Sequence, residues 1–355
     1  MNWLKLAAVA LLSAGIVAAA QSSTSAANTR ANSHGPLAIY FIDTEGGQAT
    51  LFVASSGESL LIDTGNPGGR DAGRIAALCK EAGISKIDNL VITHYHMDHV
   101  GGLPELVTMV PVGRFIDHGV NRESEAIPGG PITVRAWNGY QKVLEGGHVE
   151  HLVVKPGDVL PVKAFRVEVV SADGELIESP LPGAGEENPA CENSPEKEIE
   201  NNENDRSVGM MITFGKLRIL DLGDLTWGEE RRLMCPIDKL GKVDIYLTSH
   251  HGLDRSGSPA LVKAIAPRVV VINNGPHKGG APTTFDTVEG SSRVKDVWQL
   301  HTAEGNDEKH NVAESHIANL PGPDAGNYLK VTAREDGTFS VTNARTSESV
   351  DYSAQ

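Results

Sequence analysis

Three imidazoles and a carboxylate lie within the run His94-Tyr95-His96-Met97-Asp98-His99, and this run constrains the fold more than any other feature. The apolar, β-branched residues 90–93 precede it, and a Gly-Gly-Leu-Pro sequence follows at 101–104. We therefore predict a strand that ends at the run and a helix that begins after it. Imidazole and carboxylate are ligands that borderline divalent metals such as zinc prefer.

The spacing within the run suggests two metals. His94 and His96 alternate, so at a strand end they point the same way and can share one metal. Asp98 and His99 come from the turn that follows and can face a second metal. The alternative is a surface loop rich in histidine, which four potential ligands directly after a buried-type strand disfavour.

Two later strand ends carry the same residue types. Asp224 follows the predicted strand at 217–222, and His250 and His251 follow the predicted strand that begins at Val243. Taken singly, a turn aspartate and a surface histidine pair explain these residues. Together with the run at 94–99 they indicate a metal site built from several strand ends.

The amino terminus predicts export. Residues 1–20 contain one lysine, an apolar core and small residues at the end, which is typical of a cleaved secretory signal. A membrane anchor is the alternative, but the apolar stretch is short for a span. We expect a disordered leader at 21–35, no membrane span after signal removal, and a periplasmic or secreted protein.

Charge and cysteine content limit the partners. The formal net charge of −15 disfavours long duplex nucleic acid, whose phosphates are bound by Lys and Arg. A small-molecule or cell-envelope substrate is expected instead, and the oligomeric state stays open. Cys79, Cys191 and Cys235 allow at most one disulfide, of undetermined pairing.

The order of elements predicts an α/β (α+β) fold, an αββα sandwich of two mixed β-sheets flanked by helices. The predicted strands of the first set lie at 37–42, 49–53, 59–65, 90–93 and 114–116, with helices at 71–82 and 103–107. A second set is expected to begin near His151, with strands at 167–170, 207–214, 217–224, 243–249, 268–273, 328–333 and 338–342, and helices at 228–234 and 258–266.

One domain is expected at 36–345, followed by a tail at 346–355. Within it, residues 182–206 carry eight acidic against two basic residues and are rich in Pro, Gly and Asn. We predict an inserted acidic surface loop there, with its first half a solvated excursion.

These motifs resemble the metallo-β-lactamase fold superfamily. The resemblance rests on His-x-His-x-Asp-His after a strand, then Gly223-Asp224, then a strand-end histidine, and it runs from about residue 37 to 345. Asp63-Thr64-Gly65 is similar to the superfamily's first motif. Within the superfamily the chain looks most like the metallo-hydrolase domain of bacterial DNA-uptake competence proteins. The matching segments are 41–43, 46–49, 61–65, 204–208, 222–224 and 249–252.

The resemblance implies a ligand set. His94 and His96 would hold the first metal, Asp98 and His99 the second, Asp224 would bridge both, and His250 would complete the second site. His251 is the less favoured of the adjacent pair, because the family's ligand usually ends the strand. Asp63 and Asp43 are candidates for hydrogen-bonding support of the ligand histidines.

The chain departs from the superfamily at the third histidine of the first site. That residue is expected before Ser207, where residues 202–206 contain no histidine. The competence-type relatives show a similar absence. His118, Asp205 or a water could take its place.

The resemblance implies a hydrolase with two zinc ions, or with iron or manganese instead. A bridged metal pair lowers the pKa of bound water toward ~7, and Asp98 and Asp224 are the candidate catalytic residues. Phosphoester or phosphodiester substrates are slightly favoured over lactones, β-lactams and other acyl bonds. An iron-dependent oxidoreductase is disfavoured, since di-iron oxygen reductases of the superfamily generally have Glu at the position of His96. A non-catalytic metal-binding protein is the remaining alternative.

Candidate substrate contacts lie after later strands. Asn274 and Lys278 follow the strand at 268–273, and His301 ends an apolar segment, so all three are expected on the rim of the site. A Gly-rich loop without a binding role explains the first two equally well.

Overall fold

The computed structural model describes Met1, residues 35–147 and residues 149–354. Apart from Met1, the expected signal peptide at 1–20 lies outside the described residues, and so does the expected leader at 21–35 apart from Gly35. None of the helices in the described ranges is long and apolar enough to cross a bilayer.

Strands and helices alternate along most of the chain. The strands are β1 (Leu37–Phe41), β2 (Thr50–Val53), β3 (Ser59–Ile62), β4 (Asn89–Val91), β5 (Arg114–Asp117), β6 (Glu150–Val153), β7 (Arg166–Ala172), β8 (Glu175–Leu176), β9 (Gly209–Phe214), β10 (Leu217–Asp221), β11 (Ile245–Leu247), β12 (Val269–Ile272), β13 (Asp296–His301), β14 (Ile317–Asn319), β15 (Leu329–Ala333), β16 (Phe339–Asn343) and β17 (Ser349–Tyr352). The α-helices are α1 (Arg70–Glu81), α2 (Met97–Val100), α3 (Leu103–Met109), α4 (Gly130–Gly146), α5 (Trp227–Met234), α6 (Pro259–Ile265) and α7 (Pro282–Glu289).

The strands form two mixed sheets. The first has the order β17-β16-β15-β1-β2-β3-β4-β5-β6, and the second has the order β14-β13-β12-β11-β10-β9-β7-β8. Neighbours β3, β4 and β5 of the first sheet run parallel, as do β10 to β14 of the second. Because the carboxyl ends of parallel strands lie at one edge, the loops after them gather there.

Single strands supply residues to two different cores. In β1, Leu37 and Ile39 enter the core between the sheets, while Tyr40 packs beneath the helices that cover the first sheet. In β12, Val271 enters the same central core and Val270 packs beneath the helices of the second sheet. Strands buried on both faces read as unbroken apolar runs. The predicted αββα sandwich is therefore confirmed.

The prediction that the second sheet begins near His151 is wrong. His151 lies in β6, which pairs parallel with β5 at the edge of the first sheet. Helix α4 makes the crossover that a parallel pair requires, and the sequence did not predict it. Gly, Thr and Ala occupy three of the four buried positions of α4, and its larger apolar residues Trp137, Val143 and Leu144 are only partly buried, so its apolar face is a weak signal in the sequence.

The acidic segment 182–206 is more firmly held than a solvated excursion. Asn188 is 4% exposed, and its side chain donates hydrogen bonds to the carbonyls of Met234 and Ala260. Cys191 forms a disulfide with Cys235, and Cys79 is left as a buried free thiol. Most residues in the first half of the segment are exposed, as expected, but a turn of 3-10 helix at Pro189–Asn193 packs against α6 and anchors it.

The chain end also differs from expectation. Residues 346–355 are not only a tail, because β17 pairs antiparallel with β16 and extends the first sheet. Tyr352 is buried and stacks on Phe339 with the ring centroids 4.7 Å apart. An alternation of four residues, Ser349 to Tyr352, is too short to signal a strand in the sequence.

We expect the Cys191–Cys235 disulfide to stabilise the fold. Its sequence separation of 44 residues closes a long loop, so Cys191→Ser should lower the free energy of unfolding by about 2–4 kcal/mol. Urea denaturation followed by circular dichroism measures this change. Reductant should destabilise the wild-type chain by a similar amount and leave Cys191→Ser unaffected; a wild-type midpoint that ignores reductant would contradict the prediction.

Candidate metal centre

The metal-type side chains meet at the edge where the parallel strands of both sheets end. The run at 94–99 follows β4, Asp224 follows β10, and His250 and His251 follow β11. Asp63 follows β3, the neighbour of β4. Sequence-distant residues are therefore brought together because the strands that carry them end side by side.

His94, His96 and Asp224 form one group of potential ligands. His94 Nε2 lies 3.0 Å from His96 Nδ1 and 3.8 Å from Asp224 Oδ2. The two imidazoles converge on one point, as expected from their alternation after β4. We name these three residues the first ligand group.

Asp98, His99, Asp224 and His251 form the second ligand group. His99 Nε2 lies 3.2 Å from Asp224 Oδ1, and His251 Nε2 lies 3.2 Å from Asp98 Oδ2. Asp224 belongs to both groups, as expected for a bridging carboxylate. The three other members come from two strand ends, so the group joins the two sheets.

The structure places His251, not His250, in the second group. Both residues have positive φ, 54° and 57°, so the backbone turns sharply after β11 and the second imidazole faces Asp98 and His99. His250 Nε2 lies 3.5 Å from Asp224 Oδ2, and its Nδ1 lies 3.3 Å from the Ser256 hydroxyl. His250 therefore lies beside the shared carboxylate but outside the group.

The side chains fit a pair of divalent cations. Among the described residues, the buried Oδ1 of Asp224 has no hydrogen-bond partner. His99 Nε2 and His251 Nε2 lie 3.3 Å apart, and two N–H groups at that distance could not donate to each other. A cation can accept lone pairs from these nitrogens and from the carboxylates together, and this N/O donor set suits zinc.

Hydrogen bonds to the far nitrogens orient the ligand imidazoles. His99 Nδ1 donates to Asp63 Oδ2 at 2.7 Å, which leaves Nε2 free for a metal. The Thr93 hydroxyl also donates to Asp63, at 2.6 Å, and can therefore accept from His94 Nδ1 at 3.1 Å. His96 uses the opposite nitrogen, since its Nε2 lies 3.2 Å from Glu123 Oε1. Such contacts fix the tautomer and raise ligand basicity.

Asn273 orients the His251 imidazole in the same way. Its amide nitrogen lies 3.3 Å from His251 Nδ1, while its Oδ1 has no partner among the described residues. Rotation of the amide by half a turn exchanges these atoms, and Oδ1 then accepts from Nδ1–H. The free nitrogen of His251 is again Nε2.

The local charges suit a cation. Burial, with the neighbouring His99, holds the pKa of His94 well below its ordinary value, so this imidazole is neutral. Burial alone would raise the pKa of Asp224, but His99, His251 and His250 lower it well below the usual range. Burial alone would lower the pKa of His99, yet the carboxylates of Asp224 and Asp63 raise it. Metal binding would therefore displace a proton from His99.

Neither side chain suggested as a third ligand of the first site belongs to a ligand group. His118 Nε2 lies 3.1 Å from the buried Glu203 carboxylate. Asp205 accepts hydrogen bonds from the Thr226 hydroxyl and from the backbone N–H of Asn201. Both residues instead hold the end of the acidic segment in place.

Asp43, expected to support a ligand histidine, pairs with His301, expected on the rim of the site. Asp43 Oδ1 lies 2.6 Å from His301 Nε2, and Arg74 lies 3.1 Å from Asp43 Oδ2. Asp43 therefore supports His301 rather than a member of the ligand groups. Asp63 does support a ligand, His99, as described above.

The other two rim residues differ in their contacts. Asn274 is fully buried, and its amide nitrogen donates to the carbonyl oxygens of Gly275 and His301. It shapes the loop and does not present a side chain to a substrate. The Lys278 ammonium is partly exposed and contacts the Asp98 carboxylate, so it lies directly at the second ligand group.

Neither Glu123 nor the part that Asn273 plays in orienting His251 was predicted from the sequence. Glu123 follows β5, the parallel neighbour of β4, and this adjacency is the signal that could have placed it at the same edge. No periodic pattern marks it, because it lies in an irregular stretch between β5 and α4.

Comparisons with known proteins place part of the chain in one superfamily. Residues 43–184 match the model of the metallo-β-lactamase superfamily, whose members are mostly hydrolases. ComE operon protein 3 of Bacillus subtilis (strain 168) is 24% identical over 196 residues, which are 54% of this chain and 20% of that protein. The atrochrysone carboxyl ACP thioesterase of Aspergillus terreus is 27% identical over 111 residues, 31% of this chain and 30% of that protein. This chain thus spans less than a third of either relative.

Among solved structures, the diiron beta-hydroxylase CmlA from Streptomyces venezuelae is 17% identical, with a TM-score of 0.37. The match covers 72% of this chain and 47% of that one.

We expect Glu123 to strengthen metal binding through His96. Glu123→Gln removes the charge that the His96 ring faces at 3.2 Å, so zinc affinity at the first ligand group should fall by about tenfold to a hundredfold. Competition with a chromophoric chelator measures this affinity. Glu125→Gln, at an exposed position in the same stretch, is the matched control and should bind like the wild type. Equal affinities for the two variants would contradict the assigned role.

Proposed function

We propose that this chain is a metal-dependent hydrolase with two zinc ions. The premise is that residues 43–184 belong to the metallo-β-lactamase superfamily. A small phosphoester or phosphodiester is the favoured substrate, in keeping with the similarity to ComE operon protein 3. The observation that carries the proposal is the sharing of Asp224 by two adjacent ligand groups.

The two ligand groups would hold the metals. His94, His96 and Asp224 would bind the first, and Asp98, His99, Asp224 and His251 would bind the second. When bound, such a pair lowers the pKa of coordinated water and stabilises negative charge that develops on the substrate. The group of four offers more ligands than the group of three, so a metal held by the first group would have more positions open to water and substrate.

The neighbouring side chains would position the reactants. Asp98 contacts the Lys278 ammonium and lies 3.2 Å from His251, so its carboxylate is fixed from two directions. It can accept a hydrogen bond from the attacking water and orient it. The Lys278 ammonium, when substrate binding separates it from Asp98, can pair with an anionic oxygen of the substrate.

His250 would act without charge at neutral pH. Burial lowers its pKa to about 4, although the nearby Asp224 carboxylate opposes the shift. A neutral imidazole 3.5 Å from Asp224 can donate or accept a hydrogen bond beside the first metal position. It therefore offers one N–H donor and one lone pair beside the shared carboxylate.

A second candidate is the hydrolysis of acyl bonds, including thioesters, lactones and β-lactams. The similarity to a carboxyl ACP thioesterase supports it. The same ligand groups would serve, because a carbonyl and a phosphoryl centre both develop charge on oxygen during attack. Iron-dependent redox chemistry and metal binding without turnover are the outcomes left if neither substrate class reacts.

We also propose export to the periplasm or beyond, where the substrate would be a small molecule or a cell-envelope component. The composition of residues 1–20 supports this proposal. The Cys191–Cys235 disulfide supports it as well, because disulfides persist in oxidising compartments.

Asp224→Asn tests the proposed function. The amide cannot bridge two cations as a carboxylate does, so zinc content should fall below two per chain. Turnover of bis(p-nitrophenyl) phosphate should fall by at least about a hundredfold. Elemental analysis and absorbance of released p-nitrophenolate measure the two quantities.

Asp286→Asn is the matched control, since Asp286 is half exposed and pairs with Lys309 on the surface. This control should keep both zincs and full turnover. Fewer than two metals in the wild-type chain, or unchanged turnover in Asp224→Asn, would overturn the binuclear proposal. Turnover of p-nitrophenyl acetate without turnover of the phosphodiester would assign the acyl alternative.

A further inference from the structure

A cavity of about 340 Å³ opens beside the first ligand group. His96, Asp98 and Glu123 belong to its lining, so the cavity is continuous with the metal centre. Its volume lies at the small end of the range for small-molecule sites. A substrate whose scissile group reaches the metals therefore has space for one further substituent.

Part of the lining is aliphatic and exposed. Met97, Ile127, Pro128 and Ile132 contribute to it. Ile127 is 39% exposed and Ile132 is 50% exposed. Single exposed aliphatic residues are ordinary on a surface, but these come from the lead-in and first turn of α4 and share one cavity with a metal ligand. Covering them with an apolar group would be favourable because it removes apolar surface from water.

Beyond the metal centre and Thr133 of α4, the polar lining comes from the acidic segment and from the loop after His251. Arg255 is held by the Glu200 carboxylate through two nitrogens, and Asn202 donates to the same carboxylate at 2.9 Å. The charge of Arg255 is thereby balanced inside the protein. The cavity consequently favours an uncharged occupant over a second anion.

Asn204 offers a free hydrogen-bonding group. Its side chain lines the cavity and the residue is 3% exposed. Among the described residues its Oδ1 has no hydrogen-bond partner, while its backbone N–H is held by Asn202. A buried amide without a partner is costly, and a polar atom of a bound substrate would relieve that cost.

We propose that this cavity selects amphiphilic esters, with an aliphatic substituent against Ile127 and Ile132, and with a hydrogen-bond donor such as a hydroxyl, where the substrate carries one, donating to Asn204 Oδ1. The inference rests on the proposed function, since the reacting centre must lie at the ligand groups. The inference restricts the substrate to a compact ester whose uncharged alkyl chain occupies the cavity.

The test compares two substrates that differ only in the alkyl group. With the zinc-loaded protein, hexyl p-nitrophenyl phosphate should show a kcat/KM about tenfold or more above that of methyl p-nitrophenyl phosphate. Ile132→Asn should lower this hexyl-to-methyl ratio toward one. Val159→Asn, at an aliphatic residue that is 45% exposed and outside the cavity, is the matched control and should keep the wild-type ratio.

A binding measurement separates this inference from the proposed function. Hexylphosphonate should bind the zinc-loaded protein about tenfold more tightly than methylphosphonate by calorimetry, and Ile127→Asn should reduce the difference. Turnover of both esters at equal kcat/KM would overturn the inference and leave the hydrolase standing. Absence of turnover together with tighter hexylphosphonate binding would support the cavity and overturn the proposed phosphoester chemistry. Equal binding of the two phosphonates would also overturn the inference.

Discussion

The buried carboxylate of Asp224 is the constraint on which the rest of the site depends. An ionised carboxylate that is 2% exposed requires compensating positive charge or hydrogen bonds. The imidazoles of His94, His99 and His251 lie around this carboxylate, and they follow strands of both sheets. Electrostatic contacts to Asp224 therefore join the two sheets at the edge where the ligand residues lie, while the apolar core stabilises the rest of the αββα sandwich.

The imidazoles around Asp224 are themselves held by hydrogen-bonding neighbours. Each imidazole of the ligand groups has its second nitrogen facing an oxygen or an amide: Asp63, Thr93, Glu123 or Asn273. Asp63 alone serves Thr93 and His99, and it does so with a positive φ of 60° directly after β3. This left-handed conformation is unfavourable for an aspartate by itself, so its presence indicates that the placement of the Asp63 carboxylate outweighs the local backbone preference.

The sequence predicted the sandwich and the members of the metal run because those features have local signals. Apolar runs mark buried strands, and four ligand-type residues directly after one mark a metal site. The choice of His251 over His250 has no such signal, since it depends on two consecutive left-handed residues after β11. Glu123 depends on the adjacency of β4 and β5, which is a property of the sheet. Helix α4 was not predicted because three of its four buried residues are small, with Tyr140 the exception.

One consequence of the architecture concerns how such a protein can diverge. The ligand residues follow the central strands, whereas the walls of the cavity come from the lead-in to α4 and from the disulfide-anchored acidic segment. Both of these connections can change length or composition without moving a strand end. Changes in these two segments, other than at Glu123, which faces His96, could therefore alter specificity while the ligand residues keep their positions.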